Sequence, residues 1–282
     1  MYLLIFIILL QNTFSLSLND ESGTVILPLP PKNLMFMVDK SGYLDFLQIG
    51  YYNLQFLKEF GLKIDDPGTH LLDMGSGYGR LLSGIIIDSG KDFKGNYTGM
   101  EILKRHVTWC QHTYAKYYPE KVNFIHLDVY NSRYNPTGVI QPSALTIPAL
   151  SNYFSFISLF SVFTHMHESD IFNYLSEFKR ILRPNGVIVG TIFTYNSKRL
   201  QRAIATGYGA FEYNDHTRIK NKIDPLFAIV FEETWFIQNL VSKSGLVLEK
   251  IVYGNAIGDP DGVNHKLYPQ LFQDLFVLKK PV

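Results

Sequence analysis

The ten residues LLDMGSGYGR at positions 71–80 limit the folds open to this chain more than any other stretch. An apolar run that reads as a buried strand ends in Asp73. Gly75, Gly77 and Gly79 follow, and a helical stretch begins at once. Glycine lets the backbone turn sharply and lie against a ligand with no Cβ in the way. The helix that opens next presents free N–H groups to polar ligand atoms. Strand, acid, glycines and helix in that order mark a ligand-binding βα turn rather than a plain connection.

The spacing narrows the ligand. In the dinucleotide pattern G-x-G-x-x-G the third glycine would stand where this chain has Arg80. An acid just before the loop repels phosphate and suits a ligand carrying an ammonium or sulfonium group. The phosphate-binding G-x-x-x-x-G-K-[ST] pattern is absent. Two more acids close the next two strands. Glu101 stands 22 residues after Gly79, where a carboxylate accepts both ribose hydroxyls, and Asp128 is placed to meet an adenine edge.

Around this loop, short apolar runs at 69–74, 96–101, 122–127, 155–161 and 186–193 alternate with helical stretches near 79–88, 102–117 and 168–182. Near-continuous hydrophobicity suits strands covered on both faces. In 168–182, Ile171, Leu175, Phe178 and Leu182 share one face, and Pro184 and Gly186 mark the stop. A further amphipathic helix covers 43–60, with Leu47, Tyr51, Leu54 and Leu57 at three- and four-residue spacing. After an irregular 195–225 come a helix near 232–244 and strands near 246–253 and 273–279, close enough in sequence to pair antiparallel. The expected fold is a doubly wound, Rossmann-like α/β sheet of seven mostly parallel strands with an antiparallel edge strand. It occupies 34–282, with substrate-side insertions at 130–154 and 195–225.

Charge and cysteine content remove several classes. The 26 basic and 25 acidic residues leave a net charge of +1, so no nucleic-acid partner is expected on electrostatic grounds. The single cysteine, Cys110, excludes an internal disulfide and a cysteine-built zinc site. At the N-terminus, YLLIFIILL at 2–10 is too short to cross a bilayer, which takes about 20 residues. It suits the apolar core of a secretory signal or an anchor, although no Lys or Arg precedes it. Residues 1–20 therefore stand outside the fold argument. Membrane association would run through 2–18, with a secretory or membrane-associated location ahead of a cytoplasmic one.

On these residues the chain resembles the class I S-adenosylmethionine-dependent methyltransferases. Asp73, Gly75, Gly77 and Gly79 match the family's first motif, which wraps the methionine part of the cofactor. Glu101 matches the acid that holds the ribose, with Met100 and Ile102 beside the adenine; Asp128 and Val129 match the pair that touches the adenine. SFISLFSVFTHMH (155–167) and FKRILRPNGVIVGTIF (178–193) match the fourth strand, helix and fifth strand. Trp109-Cys110, Tyr134-Asn135-Pro136, Ser161 to His165 and Gln273-Asp274 resemble a subgroup acting on small molecules and glycans, and Ser161 joins the cofactor residues on that basis. The similarity runs over roughly 40–280. Ser155 stands where the family has Asp, and Asn185-Gly186 where it has two glycines. Asn tolerates the left-handed backbone nearly as well as glycine.

The resemblance implies S-adenosyl-L-methionine as cofactor, a small-molecule or glycan acceptor, a hydroxyl as the methylated group, and no metal. His165, just after the fourth strand, is the candidate general base. The competing reading is that His165 and His167 shape the turn into the next helix. Cys110 on its helix reads as a packed small hydrophobe. The acceptor pocket draws on 130–154, 195–225 and the first helix, where Tyr208, Phe211, Tyr213, His216 and Trp235 gather. The sequon Asn96-Tyr97-Thr98 enters a buried strand and is expected to stay unmodified. Two rival classes remain: a nicotinamide-dependent oxidoreductase, which the glycine spacing and Asp73 oppose, and a catalytically silent cofactor-binding module.

Overall fold

The computed structural model describes residues 6–10, 13–20, 23–31, 43–90, 93–115, 118–205, 212–214, 216–219, 224–258 and 270–282. The chain divides into two compact units, Met1–Leu127 and Asp128–Val282.

In the first unit, three strands β1 (Phe6–Leu10), β2 (Thr13–Asp20) and β3 (Gly23–Leu29) form an antiparallel sheet, with Leu27 and Leu29 buried. The described part of the apolar run, 6–10, is thus a strand, and no described helix is long and apolar enough to cross a membrane. Helix α1 (Tyr43–Glu59) buries Leu47, Leu54 and Leu57 as its periodicity predicts, while Tyr51 stays exposed. The three expected strands follow as β4 (His70–Met74), β5 (Asn96–Glu101) and β6 (Val122–His126), paired in parallel in the order β6-β5-β4. Helix α2 (Arg80–Ser89) follows β4, and α3 (Lys104–Cys110) follows β5 and continues as a π turn over Gln111–Ala115. Tyr97 of the sequon is buried in β5.

Helices α1 and α2 cross at two glycines. A Cβ on Gly84 would strike the Gly50 carbonyl, and one on Gly50 would strike the Arg80 carbonyl. Glycine inside a helix is unfavourable by roughly 0.5–1 kcal/mol, and the close approach of the two backbones is what it permits here.

The second unit carries β7 (Phe154–Leu159) parallel to β8 (Leu182–Tyr195), with β13 (Asp274–Lys279) antiparallel to β8 and β12 (Val247–Val252) antiparallel to β13. The late antiparallel pair is the one read from the sequence. Helix α4 (Glu168–Ile181) buries Ile171, Leu175 and Phe178, but it ends one residue early: Leu182 already belongs to β8. Asn185 takes the left-handed conformation at φ 62°, and its N–H donates to the Lys280 carbonyl.

The region 195–225, read as irregular, holds helix α5 (Ser197–Ala205) and the strands β9 (Glu212–Asn214) and β10 (Thr217–Ile219), with β11 (Ile229–Glu232) after them. Strand β8 is long enough for two jobs: 187–192 pair with β13, and 193–195 pair in parallel with β11. Helix α5 escapes a periodicity search because its sequence is SKRLQRAIA and its fully buried Arg199 occupies a core position. Arg199 donates to both oxygens of the buried Asp274 (Nη2–Oδ1 2.6 Å, Nη1–Oδ2 2.8 Å), to the Thr194 carbonyl and to the Gly258 carbonyl. A buried guanidinium is tolerated where its donors are met in this way. The helical run near 232–244 is present as Glu233–Trp235, a π turn Phe236–Val241 and Ser242–Ser244.

The segment 130–154 has little regular structure, and α4 satisfies part of its backbone. Asn173 donates to the Pro142 and Leu145 carbonyls, and Arg180 to those of Ile147 and Ala149.

Candidate functional site

In the first unit, the loop after β4 is tied back to β5: the Gly75 and Ser76 N–H groups both donate to the Met100 carbonyl, at 2.7 and 3.2 Å. Gly77 and Gly79 have φ of 54° and 75°, a conformation other residues adopt only with strain. They need it for different reasons. A Cβ on Gly79 would press on the Tyr114 ring at 2.8 Å, whereas one on Gly77 would meet nothing within 4 Å. The backbone at Gly77 thus faces free space, a cradle that a side chain would fill. Next to it the buried Ser76 hydroxyl has no hydrogen-bond partner.

Glu101 sits at the end of β5 with its carboxylate against this loop. Oε2 accepts from the Gly77 N–H and Oε1 from the Leu103 N–H, each at 2.9 Å. Burial raises its pKa, and the backbone donors oppose that. With the Ile102 backbone as a third donor, the carboxylate keeps one acceptor site for a ligand hydroxyl. Asp73 accepts from the buried Tyr97 hydroxyl at 2.6 Å. The Ile102 carbonyl accepts from His126 Nε2 at 3.0 Å. Cys110 is fully buried with Sγ 3.6 Å from the Gly77 carbonyl, and burial pushes its thiol up, so it packs rather than reacts.

One residue of this region carries no sequence signal. His106 on α3 is fully buried and tilted at 43° against the Tyr78 ring, 3.9 Å between centroids, and neither ring nitrogen has a hydrogen-bond partner. Burial, with the nearby Arg105 charge, lowers its pKa to about 3.

In the second unit, Asp128 and Val129 open the chain segment after β6. Asn135 Nδ2 donates to Asp128 Oδ1 at 3.1 Å and to the Val129 carbonyl at 3.0 Å, so Asn135 holds the pair in one orientation. Ser161 takes a positive φ of 59° after β7, and its N–H donates to Thr191 Oγ1 at 2.7 Å. Thr191 in turn donates to Gln273 Oε1. The motif stretches 161–165 and 273–274 are thereby joined through β8.

His165 lies in the 3-10 turn Phe163–His165. Its Nδ1 is 2.7 Å from the Leu226 carbonyl and its Nε2 3.4 Å from the Tyr134 hydroxyl. Burial lowers its pKa, partly offset by the Leu226 carbonyl. His167 stands at the start of α4 without a side-chain cap. Sequence reasoning missed what surrounds His165: the carbonyl of Leu226, the ion pair of Arg133 with Asp224, and Asn131, which donates to the His165 carbonyl at 3.2 Å. A turn around Asn131 was legible from the Asn135-Pro136 pair. A backbone carbonyl 61 residues away has no side-chain signature. Of the expected aromatic cluster, Tyr208 and Phe211 lie outside the described residues. His216 and Trp235 stack at 3.5 Å, with His216 Nε2 2.6 Å from Glu168 Oε1. Among the described residues no three His, Cys, Asp or Glu side chains gather as a metal site.

Comparison with known proteins agrees with the geometry. The profile of the family described as "Methyltransferase domain" matches residues 44–222. The fold is similar to that of a SAM-dependent methyltransferase from Aquifex aeolicus (18% identity, TM-score 0.50, 89% of this chain and 97% of that one). It is also similar to a sarcosine dimethylglycine methyltransferase structure from Galdieria sulphuraria (13%, TM-score 0.51, 83% and 86%). The [4+2]-cyclase SpnF shares the fold as well (15%, TM-score 0.50, 83% of each chain), so likeness of fold alone does not fix the reaction. Mostly parallel Rossmann-like strands with antiparallel edge strands, a glycine loop over an acid, and the family match over more than half its length together place this chain: it belongs to the methyltransferase-domain family and is an S-adenosylmethionine-dependent methyltransferase.

Proposed function

We propose that the chain moves the methyl group of S-adenosylmethionine to a hydroxyl of a small-molecule or glycan acceptor. The observation that carries the cofactor assignment is the cradle at Gly77, with the Glu101 carboxylate and the unpartnered Ser76 hydroxyl beside it. In this reading Asp73, Gly75, Gly77 and Gly79 hold the methionine part, Glu101 the ribose, and Ile102, Asp128 and Val129 the adenine, with Ser161 completing the set. The bound sulfonium supplies an electrophilic methyl, so the protein's own task is to position and deprotonate the acceptor. Positioning alone contributes roughly 7–11 kcal/mol. His165 is the base that would take up the proton released when the acceptor reacts. Its Nδ1 faces a carbonyl, which only accepts, so the proton of the neutral ring sits on Nδ1 and the lone pair on Nε2.

Calorimetry with S-adenosylhomocysteine tests the cofactor half. Micromolar binding, about −8 kcal/mol, is expected, with none for NAD. Glu101→Ala is expected to weaken it by roughly 1–3 kcal/mol. Tritiated methyl transfer to a panel of catechol, simple phenols, methyl glycosides and primary amines tests the acceptor half. Label appearing only on amines or carbons would overturn the hydroxyl assignment, and tight binding with no transfer to any acceptor class would favour a silent module.

A further inference from the structure

Within the second unit, three segments distant in sequence meet at one imidazole. Tyr134 comes from the turn after Asp128, His165 from the turn after β7, and Leu226 from the 3-10 turn Pro225–Phe227 ahead of β11. The rings of Tyr134 and His165 meet edge to face at 5.3 Å, with the phenol oxygen 3.4 Å from Nε2. Asn131 fastens the first segment to the second. Its Oδ1 accepts from the N–H groups of Arg133 and Tyr134, each at 3.0 Å, and its Nδ2 donates to the His165 carbonyl. Arg133 fastens the first segment to the third, pairing with Asp224 and lying over the rings of Tyr134 and Phe227 at 5.4 and 5.0 Å.

From this convergence we infer that Tyr134 and His165 form a two-membered proton relay for the acceptor hydroxyl, with the Leu226 carbonyl fixing the imidazole tautomer and Asn131, Arg133 and Asp224 as positioning residues. The inference rests on the hydroxyl-acceptor reading above. A histidine that merely shaped its turn would need one hydrogen bond to do so. Here the Leu226 carbonyl supplies it, and the second nitrogen is left facing a phenol whose oxygen accepts from Arg133 and keeps one lone pair for a substrate. In the step, the acceptor oxygen bonds to the methyl carbon as the carbon–sulfur bond breaks and its electron pair stays on sulfur. The acceptor's proton passes to the Tyr134 oxygen while the Tyr134 proton passes to His165 Nε2, and the imidazolium then releases it to solvent. A 3.4 Å separation is long for such a bond and is of the kind that tightens when substrate arrives.

Burial holds His165 below its usual pKa and Arg133 lowers it further, against the Leu226 carbonyl, Asp224 and the Phe227 backbone, which raise it; the net is a lowered pKa, so the relay base is neutral at pH 7. Rate should rise with pH only below about 6.5 and stay flat above. Asp224→Asn moves that limb to lower pH, Arg133→Met moves it to higher pH, and Asp224→Glu restores the parent profile.

The deciding measurement needs neither cofactor nor acceptor: nitrogen-15 NMR of the histidine rings in the full chain. The expected result is a His165 protonated on Nδ1, with an Nε2 resonance that shifts in Tyr134→Phe. A His165 protonated on Nε2, or an Nε2 signal indifferent to Tyr134→Phe, overturns the relay. On the hydroxyl acceptor that the panel identifies, Tyr134→Phe and His165→Asn are each expected to lose about 100-fold in kcat with KM and S-adenosylhomocysteine affinity kept. The double variant should lose little more, as members of one unit do. Tyr134→Phe at full kcat also overturns the proposal. A chain that methylates no hydroxyl defeats the acceptor reading instead, and the ring tautomer then still reports whether the pair is built as described.

Discussion

The glycine loop of the first unit is made of backbone. Its N–H groups reach the Met100 carbonyl and the Glu101 carboxylate, and its three glycines fall within five residues. The surroundings of His165 in the second unit are made of side chains and carbonyls brought from 31 to 61 residues away. A site built of local backbone is written in the spacing of one short motif. One built by convergence is written nowhere in particular, and it depends on the packing of everything between its parts. The two should therefore fail differently under mutation.

The largest effect is expected where convergence is anchored. Arg199→Ala leaves the Asp274 carboxylate buried without its guanidinium, at a cost of roughly 3–5 kcal/mol, read as a fall in the denaturant midpoint of the second unit. A loss below about 1 kcal/mol would mean that β8 and α5 hold without the pair. Next comes Gly84→Ala, whose methyl meets the Gly50 backbone; roughly 1–3 kcal/mol of stability should go. Gly77→Val sharpens the contrast. Its side chain enters free space, so the cost to folding is confined to the strained φ, of order 1–2 kcal/mol, while S-adenosylhomocysteine binding should fall below detection in calorimetry. Parent-like binding would move the cofactor elsewhere.

The last effect is a slope with pH rather than a single loss. His106 has a folded pKa of about 3 against roughly 6.5 in the unfolded chain. Between those values the unfolded chain holds a proton that the folded one lacks, so stability drops as pH falls from about 6.5 toward 3, by up to about 1.4 kcal/mol per pH unit. Urea midpoints of His106→Phe from pH 4 to 7 should lack this share of the slope.

What was legible follows the same division. The strands β4 to β7, helix α4 and the late antiparallel pair stand within two residues of where the sequence puts them, whereas β8, expected over 186–193, already begins at Leu182 and takes in the Pro184 and Gly186 read as a stop. Helix α5 was hidden because an arginine fills its core position. Strands β9 and β10 are three residues each, too short for a pattern to repeat. At the candidate site, Glu101 and the glycines follow from residue type and spacing. The tautomer of His165 does not, because it is fixed by an unnamed main-chain oxygen.

The crossing of α1 and α2 has a consequence for how such a chain can vary over time. Most tight contacts in a protein offer an escape: a larger side chain on one wall is accommodated by a smaller one on the other. At Gly50 and Gly84 the opposite wall is main chain, and no amino acid is smaller than glycine. Neither position can compensate for the other, so the pair is a ratchet. Lineages descending from this fold can reach a substitution there only by first moving the helices apart.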